Sequence, residues 1–147
     1  YIKDIHHAED VMITGFMKVF TNLKNFEHKG SFEGWIRRIM IFECIDFLRV
    51  KKNNFNHQDI EDITVGESES VYEMEDFSVD DIQNMIDNLP DGYKMVFNLY
   101  AIEGYKHQEI AEMLKISEGT SKSQLSHARK LLQQQITELK NRLNGTK

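Results

Sequence analysis

Apolar residues recur at helical spacing over most of the chain, and strand-type alternation is nearly absent, which predicts an all-α protein. Over residues 8–23 (AEDVMITGFMKVFTNL), Val11, Phe16, Val19, Phe20 and Leu23 fall largely on one helical face. Glu9 and Asp10 are expected in the first turn of that helix, where the dipole favours acids. A loop over 24–29 and a turn at Gly30-Ser31 separate it from a long helix over about 32–52. At 100° per residue, Ile36, Ile39, Met40 and Phe47 share one stripe of that second helix. A different side carries Arg38, Arg49 and Lys52, with Phe42 and Ile45 between them.

The second half of the chain has a different rhythm. A short helix is predicted over 81–89, stopped by Pro90, and another over 91–102 with Tyr93, Val96, Phe97 and Tyr100 on one side. The stretch HQEIAEMLKIS then runs into EGTSKSQLSHARKLLQQQITELKNRL, the layout of a helix-turn-helix with its turn at Lys115-Ile116-Ser117. Ala111 is small where the two helices must cross, and Ile110, Leu114 and Ile116 supply a local core. Ser117 is a good N-cap and Glu118 suits the first turn. In the second helix Leu125, Ala128 and Leu132 form the edge to be buried. Lys122, Ser123, Ser126, His127 and Lys130 are expected to spread over the exposed side. Arg129 is expected nearer the buried edge, as a phosphate clamp or an ion-pair member.

Charge divides the chain in three. The 147 residues carry a net charge of −6, which argues against nucleic acid when taken whole. Residues 1–54 hold 9 Lys+Arg and 7 Asp+Glu, residues 55–81 hold no base and 10 acids, and residues 82–147 hold 9 and 7. The acidity therefore belongs to one middle segment without a sustained period, which reads as a flexible linker. The expected organisation is a first helical domain at 1–56, an acidic linker at 57–80 and a second helical domain at 81–144. Each lobe is small enough to be only marginally stable alone.

The same numbers exclude several classes. No apolar run of 18 residues exists, so no membrane-inserted helix is expected. One Cys cannot build a disulfide framework, and Cys44 on an apolar helix is read as core rather than nucleophile. His6-His7 reads as solvated, with no metal site and no cofactor. No phosphate loop, His-Glu-x-x-His or nucleophile elbow is present, so no catalytic residue and no enzyme activity are expected. Tyr1 stands where a Met would begin a complete chain, so a natural start upstream is expected.

What remains is two cationic surfaces. Arg38, Arg49 and Lys52 with an interleaved Phe42 are either a solvated face or a stripe that tracks phosphates and stacks on unpaired bases. Lys, Ser and His on the second helix of the helix-turn-helix are suited to base edges and phosphates.

The run AEDVMITGFMKVFTNLKNF…GSFEGWIRRI…DFLR, the acidic connection, LPDGYKMVFNLYAIEGYKHQEIAEMLKIS and EGTSKSQLSHARKLL resemble, in this order, the extracytoplasmic-function type of the bacterial sigma-70 family. The resemblance covers about residues 8–132. It implies a cytoplasmic bacterial transcription initiation factor that binds core RNA polymerase and promoter DNA, monomeric when free and often held by an anti-sigma factor. It implies that the first helix docks on the clamp helices of the β′ subunit through Glu9, Asp10, Ile13, Phe16 and Met17. It assigns the −10 element to Lys29, Ser31, Trp35, Arg38, Phe42, Arg49 and Lys52. The −35 element falls to Lys122, Ser123, Ser126, His127, Arg129 and Lys130. The first helices of the second lobe would meet the flap of the β subunit.

Three departures stand out. The family usually has Gln-Glu-Thr where Ile13-Thr14-Gly15 stands, Asn where Phe42 stands, and a buried Val where Ser121 stands. They predict a less polar docking surface, altered base readout and a slightly weakened turn core. Part of the family's first helix would precede Tyr1. Two other readings fit the residues: a stand-alone helix-turn-helix regulator, which would need a dimer, or an interaction adaptor that reads no DNA.

Overall fold

In the computed structural model, the described residues are 1–54 and 77–144, with side chains described for 1–51 and 77–142. All regular structure among them is helical. The chain divides into two compact units, Tyr1–His57 and Gln58–Lys147. The acidic segment up to residue 76, and the side chain of Lys52, lie outside the described residues.

The first unit pairs α1 (Ile5–Asn22) with α2 (Phe32–Asn54). Helix α1 begins three residues earlier than the apolar pattern predicts, because Asp4 caps it by accepting from the His7 backbone N at 2.9 Å. Glu9 and Asp10 consequently lie in the second turn, and no acid occupies the first. The buried face of α1 is Val11, Gly15 and Val19. Phe16, Phe20 and Leu23, grouped with Val11 and Val19 by the helical period, lie on the exposed side instead, Phe20 by 74%.

Gly15 explains the difference. A Cβ there would collide with Met40 Sδ, so the absent side chain lets α2 approach and Met40 fills the space. Of Ile13, Thr14 and Gly15, then, the glycine belongs to the helix crossing rather than to a docking surface. Lys18 forms an ion pair with the buried Glu43, and the His7 ring meets Phe47 at 5.2 Å. On α2, Met40 and Phe47 thus face α1 as their stripe predicts, while Ile45, read between the cations, is buried, as is Ile41.

The second unit holds α3 (Val79–Asp87), α4 (Asp91–Phe97), α5 (His107–Leu114) and α6 (Glu118–Asn144). Helix α3 starts two residues before the predicted position. A capping box sets that start: Asp81 N donates to Ser78 Oγ at 3.1 Å, and Ser78 N and Oγ donate to the Asp81 carboxylate at 3.1 and 2.7 Å. Those bonds, the Ser78 hydroxyl first, hold the Asp81 carboxyl below the ordinary aspartate pKa. A depressed carboxylate stabilises the fold above its unfolded pKa and loses that contribution as the pH falls through the folded value. Thermal melts should therefore show a deficit for Asp81→Ala that is full at neutral pH and shrinks on acidification below the ordinary aspartate range; a pH-independent deficit would contradict the capping role.

Lys94 is buried, with its ammonium donating to the Asp87 carbonyl at 3.1 Å, where the C-terminal end of α3 favours a cation. The expected helix over 91–102 divides instead into α4 and a π turn, Asn98–Ile102. Its wider ring, closed by Glu103 N to Asn98 O at 3.0 Å, changes the register. Leu99 is fully buried, whereas Tyr100, expected beside Val96 and Phe97, turns outward. Leu89, Tyr93 and Ala128 then form a core against which Phe97, Leu131 and Leu132 pack.

Between α5 and α6, Lys115 takes the left-handed conformation at φ 56° and ψ 47°, which closes the turn through Ile116 N to Ala111 O at 3.1 Å. A side chain there costs about 1 kcal/mol relative to glycine. Lys115→Gly should raise the stability of this unit by about that amount, shifting its melting temperature upward by roughly 4–8 °C. A lowered melting temperature would contradict the strain.

Candidate nucleic-acid interface

Trp35, Arg38, Phe42 and Arg49 lie within about 60° of one another around α2, so the cationic stripe and its aromatics share one face. Trp35, Arg38 and Phe42, with Lys18, Asn22, Asn25, Ile39 and Glu43, line a cleft of about 360 Å³ between α1 and α2. The Arg38 guanidinium stands 5.7 Å from the centre of the Phe42 ring, a cation–π pair one helical turn apart. Arg49 is held by Asp46 at 3.1 Å.

The loop before α2 is built from rings. Phe26 meets His28 at 4.7 Å, Phe32 at 5.2 Å and Trp35 at 5.4 Å, and Phe32 stacks on Trp35 at 5.8 Å. Positive φ at His28 and Gly30 turns the chain between them. The rings of Phe26, His28 and Phe32 are functional candidates that the cation pattern alone does not reveal. Ser31 accepts from Gly34 N at 3.0 Å, so its hydroxyl caps α2. Lys29 is exposed and paired with Glu27 at 2.6 Å.

On α1, the candidate docking residues Glu9, Asp10, Ile13, Phe16 and Met17 are all exposed. Ile13, Phe16 and Met17, with Met12 and Phe20 and with Leu23 just beyond the helix, give a broad apolar outer face, of a kind that usually marks an interaction surface. Cys44 is part-buried, and burial pushes its thiol pKa up, which disfavours the reactive thiolate.

In the second unit, Ser117 caps α6 by accepting from Thr120 N at 2.9 Å. Lys122, Ser123 and Ser126 are exposed, Lys122 paired with Glu118 at 2.7 Å. The Lys122 hydrogen bond holds the Glu118 carboxyl below its ordinary pKa. Such exposed pairs contribute little and are easily exchanged for a phosphate. Lys130 is half-buried.

Three α6 residues depart from expectation, the half-buried Lys130 among them. His127, expected on the open side, lies half-buried with its ring parallel to Tyr93 at 5.5 Å. Arg129, expected near the buried edge, is exposed, its guanidinium 5.8 Å from the centre of the Tyr100 ring. Ser121 is fully buried, and its hydroxyl is 2.9 Å from His107 Nδ1. The serine that departs from the usual Val therefore gains a hydrogen bond across the α5–α6 crossing. Sequence spacing gives no sign of that pair.

Known proteins are similar to this chain in sequence and fold. Residues 1–54 match the family Sigma-70 region 2, and residues 79–132 match Sigma-70, region 4. The ECF RNA polymerase sigma factor SigW of Bacillus subtilis is 30% identical over 149 residues, spanning 92% of this chain and 79% of that protein. The RNA polymerase sigma factor SigV of the same organism is 27% identical, spanning 93% and 80%. In fold, the chain is similar to the sigma factor RpoE solved in complex with the anti-sigma factor NepR from Bartonella quintana, with a TM-score of 0.55, 24% identity and coverage of 88% and 80%. A stand-alone regulator or an adaptor would leave the region 2 match across residues 1–54 without explanation. The chain belongs to the extracytoplasmic-function type of the sigma-70 family, the transcription initiation factors that direct RNA polymerase to promoters.

Proposed function

We propose that the two units divide the promoter between them, the first opening and holding the −10 element and the second reading the −35 element through α6. The observation that carries this reading is the cleft that brings Trp35, Arg38 and Phe42 together beside the ring-built loop. Its volume of about 360 Å³ is at the small end of ligand pockets, and its lining joins aromatic faces to cations. That is the chemistry of an extruded base with its phosphates. Opening a duplex costs a few kcal/mol per unstacked step. A surface that binds only the unpaired strand offsets that cost without catalysing a reaction, so the chain needs no cofactor and performs no chemistry of its own.

The apolar outer face of α1 is the surface offered to the β′ clamp helices of core polymerase, with Glu9 and Asp10 at its edge. The first helices of the second unit meet the β flap. An anti-sigma factor would compete for the same faces. The site of action is the bacterial cytoplasm; no helix among the described residues is long and apolar enough to cross a membrane. Free in solution the chain is a monomer with weak, salt-sensitive affinity for duplex, since each basic lobe carries an excess of only two cations. Mounted together on one polymerase, the two contacts reinforce each other as a linked pair.

Permanganate footprinting of a cognate promoter tests the division of roles. Holoenzyme should expose unpaired thymines around −10, and Arg38→Glu should abolish that reactivity while protection around −35 persists. Undiminished reactivity with Arg38→Glu would remove the first unit from strand opening.

A further inference from the structure

We propose that Tyr100, stacked on a His107 ring that Ser121 anchors, is a positioning residue that presents Arg129 to a backbone phosphate of the duplex. The inference rests on the reading of α6 as the duplex-facing helix and adds a residue that lies outside the helix-turn-helix. Lys122, Ser126 and Arg129 are spaced four and three residues apart, so they form one stripe of α6 within about 60°. Arg129 ends that stripe, and an arginine there has a long, flexible stem whose ordering opposes binding.

The structure holds it. Its guanidinium lies 5.8 Å from the Tyr100 ring centre, within cation–π range. Tyr100 in turn stacks on His107 at 4.7 Å and 22°. His107 is itself anchored, Nδ1 to the fully buried Ser121 Oγ at 2.9 Å. The π turn brings Tyr100 to the surface at 37% exposure, while its neighbour Leu99 is fully buried. Two elements, the π turn and the start of α5, thus converge on one tyrosine whose outward ring faces a recognition-helix cation. Prior ordering of Arg129 lowers the cost of a charge-assisted, two-pronged phosphate contact.

The test is the salt dependence of promoter binding by holoenzyme assembled from the full chain and core polymerase, on duplex DNA carrying its promoter. Each phosphate contact contributes close to one unit to the slope of log K against log salt. Arg129→Ala should lower the slope by about one unit, and Tyr100→Leu should lower it by more than half as much, with binding weakened about two- to fivefold. Tyr100→Phe keeps the ring and should behave as the parent chain. Adding Arg129→Ala to Tyr100→Leu should change the slope little further. A melting temperature lowered by Tyr100→Leu with an unchanged slope would make the tyrosine merely structural and overturn the proposal. An unchanged slope with Arg129→Ala, beside a lowered slope with Lys122→Ala, would also overturn it while leaving α6 on the duplex. An unchanged slope with all of them, Lys122→Ala included, would take away the duplex-facing reading itself.

Discussion

Trp35→Ala should shift the promoter-opening equilibrium towards the closed form by roughly 10- to 100-fold, while duplex binding by holoenzyme stays within about twofold of the parent. The magnitude follows from base–aromatic stacking, which contributes about 1–3 kcal/mol per base. Trp35 is the largest ring in the cleft lining, and it also buttresses the loop through Phe26 and Phe32. Its removal deletes the stacking face and loosens the support together. The closed complex makes no use of an unpaired base, so its affinity should be nearly untouched. Fluorescence of 2-aminopurine placed in the −10 element separates the two steps, and Trp35→Phe should recover part of the loss. Equal opening with Trp35→Ala would place base capture elsewhere.

The other large effect belongs to stability. Leu99→Ala removes most of a fully buried side chain and should destabilise the second unit by about 2–5 kcal/mol. A lobe of that size has little stability to spare. Calorimetry should therefore show the second unit melting at or below physiological temperature, with the transition of the first unit unchanged. Transcription from promoters that depend on the −35 element should fall with it. A loss below 1 kcal/mol would mean that the π turn collapses onto the gap.

Features that depend on one helix face or on neighbours in sequence are legible without coordinates. The face of Arg38, Phe42 and Arg49 follows from the period of α2, whereas Trp35 enters through the resemblance and Ile45, read between the cations, is buried. Ser117 as cap, Ile110 as local core and Ala128 on the buried edge are legible because caps and helical period act locally, while Ala111, read at the crossing, is half-buried. The all-helical class follows from the same periodicity.

Features that depend on a distant partner are not legible. Nothing around Gly15 announces that Met40 occupies its side-chain space, so the period groups Phe16 and Phe20 with Val11 and Val19, whereas the buried face runs through Gly15. A π turn is a matter of hydrogen-bond register, and the apolar pattern over residues 91–102 is compatible with an unbroken α-helix. Tyr100 was therefore assigned to the wrong side. His127 is polar and sits on the side expected to be open, yet the parallel Tyr93 ring claims it. Ser121 looks like a weakened core position until His107 is seen across from it. The start of α1 is a local signal, Asp4 before His7, that the polar His6-His7 pair disguises.

Run-off transcription tests most directly whether the chain acts only as part of the polymerase. Purified full-length chain, core RNA polymerase and a genomic promoter library should together yield discrete transcripts whose upstream sequences share two spaced elements, with none from core alone. Transcripts indistinguishable from those of core alone, or specific promoter binding by the chain without polymerase at physiological salt, would contradict it.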